Sequence, residues 1–272
     1  MDVLREILDA KAREVERLRP RRAELEAAAA AAPPVRGFAR AASTGPHVAV
    51  IAEHKRRAPS AGHLAPGSRA GPACARYARA GAAALSVLTD ADRFGGSLED
   101  LREARAACDL PVLRKDFIVD AVQVSEARAA GADAILLIAR ALPGALLQEL
   151  RGAAREAGMD ALVEVHDEAE LERALAAGSS LVGINSRDLS TFETDLSRIA
   201  RLAGSVPERV TLVGESGIAG ADDVRLLGDA GVHAVLVGSL LMTSADPAAA
   251  LHELVGHPRR SRSRAEAGAR PG

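Results

Sequence analysis

Two lysines stand where acid–base chemistry is possible. The chain carries thirty-five basic side chains, and all but Lys11, Lys55 and Lys115 are arginine. Arginine keeps its proton inside a protein, whereas a lysine can be tuned to give its proton up. Lys115 closes an apolar run in "PVLRKDF", and Lys55 follows Glu53 by two residues in "VAVIAEHK". Other apolar runs close on Glu164 and His166, on Asn185 and Arg187, and on Glu215 and Ser216. Drift in an arginine-rich composition explains one lone lysine. It does not explain carboxylates, amides and ammonium groups closing run after run. If those runs are strands, residues two apart point the same way. Glu53 then shares a face with Lys55, Glu164 with His166, and Asn185 with Arg187, while His54 and Arg114 point to the other side.

The elements that hold these residues alternate. Short β-rich runs, "VAVIAEH", "AALSVLT", "PVLRKDF", "AILLIA", "ALVEVH", "LVGIN", "VTLVGES" and "AVLVGS", alternate with helical stretches, many of which end in glycine. Eight such units predict a (β/α)8 TIM barrel, an α/β fold, with an extra N-terminal helical segment; an open doubly wound sheet is the alternative. Residues 1–46 read as a helical extension packing on the barrel. Within it, Val3 to Leu18 carries an amphipathic pattern, and Pro33 and Pro34 end the helical part. The barrel is expected over 47–255. The basic, polar stretch 256–272 is expected to be disordered.

A barrel places its chemistry at the C-terminal ends of its strands, where these polar residues fall. The glycines and serine of "GESGIAGADDV" and "VGSLLM", with Gly217, Gly238 and Ser239, sit at the last two strand-to-helix turns. Backbone N–H groups at such turns hold phosphate in many barrels; ordinary tight turns are the plainer reading.

Composition narrows the partners. Net charge is −2 and the mean hydropathy is near zero, so no global field draws nucleic acid. The N-terminal residues lack a signal-peptide pattern, and no apolar run is long enough to cross a membrane. Cys74 and Cys108 give no disulfide framework and suit a reducing, cytoplasmic setting.

Longer blocks carry a specific likeness: "VIAEHKRRAPSAG", "GAAALSVLTDADRFGGS", "PVLRKDFIVDAVQVSEARAAGADAILLIA", "LVEVHDEAELERAL", "GINSRDLSTFETDL", "VGESGIAGADDV" and "VLVGSLLM". Over residues 3 to 254 the chain resembles indole-3-glycerol phosphate synthase, a barrel lyase of tryptophan biosynthesis. The resemblance implies closure of a pyrrole ring on 1-(o-carboxyphenylamino)-1-deoxyribulose 5-phosphate, with loss of carbon dioxide and water. It implies no metal and no organic cofactor, a small phosphorylated substrate, and a monomer or weak homodimer. By the same likeness Lys115 is the general acid of ring closure and Glu164 the acid/base of dehydration. Lys55 holds the substrate carboxylate or serves as a second proton donor, Glu53 orients the lysines, and Asn185 and Glu215 complete the polar ring. Arg187, Ser216 and Ser60 are further substrate contacts. Phe94, Phe117 and Leu136 form a slot for the aromatic ring, and Gly217, Gly238 and Ser239 hold the phosphate.

Three positions depart from the family pattern. Ala58 stands where the family usually has a phosphate-binding serine, so one hydroxyl contact is missing. His54 replaces an apolar residue. Gly71 replaces an aspartate and is expected to cap the helix that follows. Two rivals remain at this level. A phosphosugar isomerase would share the phosphate turns but would want a carboxylate or thiol pair, and neither cysteine closes a strand. A homologue that binds the phosphate ligand without turnover is favoured only by the missing serine.

Overall fold

The computed structural model describes residues 3–59, 61–188 and 193–262. Eight parallel strands close into a barrel: β1 (Ala49–His54), β2 (Ala84–Leu88), β3 (Val112–Lys115), β4 (Ala134–Ile138), β5 (Asp160–Val165), β6 (Leu181–Asn185), β7 (Thr211–Glu215) and β8 (Ala234–Val237). Consecutive strands pair in order, and β1 closes the ring against β8 with Val50 opposite Val235 and Ile51 opposite Leu236. The eight-unit rhythm of the sequence is therefore a TIM barrel.

Helices α1 (Val3–Leu18), α2 (Arg22–Ala31) and α3 (Phe38–Ser43) precede β1. Between the strands run α4 (Ala70–Arg79), α5 (Ala91–Phe94), α6 (Leu98–Ala107), α7 (Ala121–Ala129), α8 (Gly144–Glu156), α9 (Glu168–Ala176), α10 (Leu196–Ala203) and α11 (Ala221–Asp229). α12 (Ser239–Thr243) and α13 (Pro247–His252) follow β8. Several of these helices start on an aspartate or serine whose side chain accepts an early backbone N–H; Asp120 and Gln123 form a full capping box at α7.

Two apolar layers follow from the period of two. Val50, Ala52, Leu85, Val87, Ile135, Leu137, Val163, Val182 and Val235 point outward into the packing with the helices. Ile51, Ala84, Leu113, Leu136, Leu162, Leu181, Val213 and Leu236 point inward. The interior is filled by branched chains and by Phe38 of α3, which plugs the N-terminal face. α3 is held there because Asp160, at the start of β5, accepts the Ala39 N–H at 2.8 Å.

The last described residues overturn one expectation. Composition assigns 256–272 to disorder, yet 257–262 pack against the N-terminal face of the barrel. Val48 N–H donates to His257 O and Arg259 N–H to Pro46 O, each at 2.8 Å. The Arg262 guanidinium is buried and donates to Val206 O, Gly231 O, Pro207 O and Val210 O at 2.7–3.2 Å. Main-chain carbonyls, not apolar contacts, hold this segment, so counting apolar residues misses it. Residues 263–272 of that expectation lie outside the described residues.

Gly71 is the second correction. It lies within α4, whose N-cap is Arg69, and caps nothing itself. Its N–H is satisfied from a distance by the Glu103 carboxylate at 3.2 Å. Among the described residues no helix is long and apolar enough to cross a membrane.

Candidate active site

Continue each inward row toward the C-terminal end and it turns polar. Glu53 follows Ile51 by two, Lys115 follows Leu113, Glu164 follows Leu162, Glu215 follows Val213, and Asn185 lies on the row of Leu181 and Gly183. These side chains converge on a cavity of about 400 Å³ at the mouth of the barrel. Lys55, Arg187, Ser216, Phe94, Phe117, Leu136, Gly217, Gly238 and Ser239 line it too. The structure thus gathers every site residue expected from the sequence except Ser60, which lies outside the described residues.

The charges are tightly set. Lys115 Nζ lies 3.5 Å from Glu164 Oε2 and 3.6 Å from Glu215 Oε2. Lys55 Nζ lies 2.9 Å from Glu53 Oε1, and Ser86 Oγ donates to Glu53 Oε2 at 3.2 Å. Burial disfavours the Lys115 ammonium, but the carboxylates of Glu164, Glu215 and Glu53 outweigh it and hold the pKa above the usual lysine value. Burial likewise disfavours the Glu53 carboxylate, yet Lys55 and Lys115 bring its pKa below the ordinary range. The two carboxyls beside Lys115 part company. Burial pushes Glu215 up to about 8, with the negative charges of Glu164 and Glu53 adding to it against Lys115. For Glu164 the burial penalty is overcome by Lys115 and His166 and by a hydrogen bond with Asn185, so it stays a carboxylate. Adjacent carboxyls driven apart in this way are an acid–base arrangement.

Two glycines make room for the ring. A Cβ at Gly238 would collide with Glu53 Oε1, and one at Gly183 would collide with Glu215 Oε1. A glycine inside a strand marks such a close approach, and the Gly183 of "LVGIN" carries that signal in the sequence.

Outside the cavity wall, His166 backs Glu164. Its Nε2 is 3.4 Å from Glu164 Oε1, and its Nδ1 is 3.1 Å from Glu170 Oε2, which also accepts the His166 backbone N–H. Burial opposes the Glu170 carboxylate, but hydrogen bonds from His166 and Arg140 bring it down to about 2. His54 and Arg114 point away from the mouth, as strand alternation requires. His54 is buried, with Nε2 3.1 Å from Ser68 Oγ. Arg114 is buried against Asp116, Glu126 and the Gln123 carbonyl.

The other end of the cavity is rich in backbone. Ser216 and Gly217 are consecutive left-handed residues with φ of 66° and 77°, and Ser186 Oγ donates to Ser216 O at 3.0 Å. α11 and α12 start on Gly220 and Gly238 with no side-chain cap. The apolar wall holds Phe94 and Phe117 with ring centroids 6.4 Å apart. Among the described residues no group of three or more His, Cys, Asp or Glu is arranged to hold a metal ion.

Sequence reasoning missed the parts played by Leu4 and Lys11 of α1. Leu4 lines the cavity, and Lys11 is 1% exposed, 2.8 Å from Asp116 and 2.9 Å from Asp90. The signal was present: Ile7, Lys11 and Val15 fall four apart on one helix face, and Ile7 and Val15 are buried.

Fold and site together define a (β/α)8-barrel enzyme with ammonium and carboxyl groups at its mouth. A profile of the indole-3-glycerol phosphate synthase family matches residues 4–254. Indole-3-glycerol phosphate synthase 2 of Streptomyces coelicolor is 53% identical over 234 residues, 86% of this chain and 90% of that protein. Indole-3-glycerol phosphate synthase of Leptothrix cholodnii is 49% identical over 258 residues, 93% of this chain and 98% of that protein. The chain belongs to the indole-3-glycerol phosphate synthase family, carboxy-lyases of tryptophan biosynthesis that act on a phosphorylated small molecule. Among solved structures, 3-hexulose-6-phosphate synthase from Salmonella typhimurium aligns with a TM-score of 0.60 at 16% identity, covering 76% of this chain and 96% of that one. That likeness concerns the fold alone.

Proposed function

We propose that ring closure, decarboxylation and dehydration are divided among the residues of this mouth as follows. Lys115 donates a proton to the substrate's carbonyl oxygen while the aromatic carbon bearing the carboxylate attacks the carbonyl carbon. The new carbon–carbon bond forms, the carbonyl becomes a hydroxyl, and the carboxylate leaves as carbon dioxide, returning its electron pair to the ring. Glu164 then serves the dehydration, in which the hydroxyl leaves as water and a proton is lost from the neighbouring carbon. The sum consumes one proton per turnover, because a carboxylate is exchanged for neutral carbon dioxide. Holding the Lys115 pKa up suits this order: the group meets the substrate as an ammonium and then gives its proton to a forming alkoxide.

Lys55 holds the substrate carboxylate, and Glu53 orients both lysines. Asn185 fixes Glu164, and neutral Glu215 completes the ring. Arg187 and Ser216 are further substrate contacts, as is Ser60 on sequence grounds alone. Phe94, Phe117 and Leu136 grip the aromatic ring, and the turns at Gly217, Gly238 and Ser239 receive the phosphate through their N–H groups. The protein works in the cytoplasm as a monomer or weak homodimer, without a cofactor.

One observation carries this reading: the Lys115 ammonium sits between Glu164 and Glu215 in a cavity with an aromatic wall and glycine turns. Mixing the purified chain with 1-(o-carboxyphenylamino)-1-deoxyribulose 5-phosphate should produce indole absorbance and fluorescence under multiple turnover. Substrate that binds but yields no indole, even in a single turnover, would leave a binding protein and overturn the assignment of roles.

A further inference from the structure

Lys11 belongs to α1, outside the barrel, yet it is among the most deeply buried charged groups of the chain. Its ammonium meets three carboxylates: Asp116 Oδ1 at 2.8 Å, Asp90 Oδ2 at 2.9 Å and Glu14 Oε2 at 3.0 Å. A buried charge needs partners, and three acceptors suit the three donors of an ammonium. Simple anchoring of a helix would explain one such pair. The two aspartates, however, do more than receive Lys11.

Asp90 follows the end of β2 and caps α5 through its other oxygen, accepting the Arg93 N–H at 2.8 Å. α5 is a single short turn, and its last residue is Phe94. Asp116 follows Lys115 at the end of β3 and accepts the Phe117 N–H at 2.8 Å through the same Oδ1 that meets Lys11. One carboxylate is thus tied to the backbone turn that presents Phe94, the other to the backbone that presents Phe117. The two rings are neighbours on the apolar wall of the cavity, with centroids 6.4 Å apart and planes tilted by 36°. Leu4, from the same helix as Lys11, completes the cover.

We propose that Lys11 is a positioning residue for the reaction: it clasps the ends of β2 and β3 and so sets the separation of the two phenylalanines that grip the substrate's aromatic ring. This rests on the aromatic-slot reading given above. None of the clasp's ion pairs reaches the phosphate turns, and only Asp116, as the chain neighbour of Lys115, adjoins a group that moves protons, so loss of the clasp should be felt mainly at the aromatic end of the substrate.

The test uses the full chain with two probes, N-(2-carboxyphenyl)glycine for the slot and inorganic phosphate for the far end, each titrated as an inhibitor. Lys11→Met removes the clasp. Asp90→Asn keeps the oxygen that caps α5 while cancelling the charge, and it serves should Lys11→Met fail to fold. Both variants should weaken the aryl probe by about tenfold or more, as expected when a binding group is displaced, and leave phosphate inhibition within about twofold. Equal weakening of both probes, or an unchanged aryl constant in a folded variant, would show that Lys11 only tethers the helix. Phe94→Ala separates the two layers of the argument. If it weakens the aryl probe while Lys11→Met and Asp90→Asn do not, the clasp alone falls. If Phe94→Ala has no effect, the slot reading falls and takes the clasp with it.

Discussion

Arg114 and Lys115 are neighbours in the chain and face opposite sides of one strand: the lysine enters the cavity beside Glu164 at 3.5 Å, and the arginine is buried behind the strand against Asp116 and Glu126. The pair separates charge from proton transfer. Lys115→Arg keeps the positive charge but cannot readily release a proton, and its planar fork does not fit an ammonium site. We expect kcat to fall by about 10²–10⁴ with substrate affinity largely kept. Near-normal kcat would remove Lys115 from proton transfer. Arg114→Lys, by contrast, should lower Tm, since a lysine cannot reach the several acceptors a guanidinium serves.

Glu215 gives the pH dependence a sign. Its folded pKa, up at about 8, lies above the ordinary carboxylate value, so the folded state binds this proton more tightly than the unfolded one. The group therefore favours folding fully below the ordinary carboxylate range, and that contribution is lost as pH rises through about 8. Activity should decline on the same alkaline limb as the neutral carboxyl becomes a second anion beside Glu164. Glu215→Gln should flatten that limb in a kcat–pH profile; an unchanged limb would assign it to another group.

Ala58 is buried and lines the cavity, where the family usually offers a serine hydroxyl. Ala58→Ser should lower KM and change kcat little, because the phosphate is remote from the bonds that change. Steady-state kinetics decides, and an unchanged KM would show that backbone donors already supply the contact.

The C-terminal segment should matter for stability. Ending the chain at Gly256 removes the Arg262 guanidinium and leaves the carbonyls of Val206, Gly231 and Val210 without that donor. Hydrogen bonds to a charged group contribute about 1.5–3 kcal/mol each net of the exchange with water. A Tm loss of about 5–10 °C is expected for a domain of this size, with kcat at low temperature nearly intact. Arg262→Ala should reproduce most of it, and an unaltered melting curve would mean that the segment rests on the barrel without supporting it.

The barrel was legible because its signal repeats. The same alternation that buries Ile51 and Leu113 inward delivers Glu53 and Lys115 to the mouth, so fold and site came from one pattern. What was hidden depends on three-dimensional neighbours. Lys11 lies about a hundred residues from Asp116, and nothing local pairs them. Arg262 is held by carbonyls, which every sequence has everywhere. Gly71 was assigned to a cap by analogy with an aspartate, but the helix begins one residue earlier and its free N–H finds Glu103 from another helix.

The seam between β1 and β8 also fixes when the site is finished. β1 is translated early and β8 near the end, and the two pair directly. Until β8 emerges, one edge of β1 has no barrel partner, and Glu53 lacks the Gly238 backbone that it packs against in the closed ring. An unpaired strand edge on a growing chain invites wrong pairing. Pairing of β8 with β1 therefore closes the last edge and seats the Gly238 backbone against Glu53, so a chain that lacks β8 would hold Lys115 and Glu164 but not the enclosure in which they act.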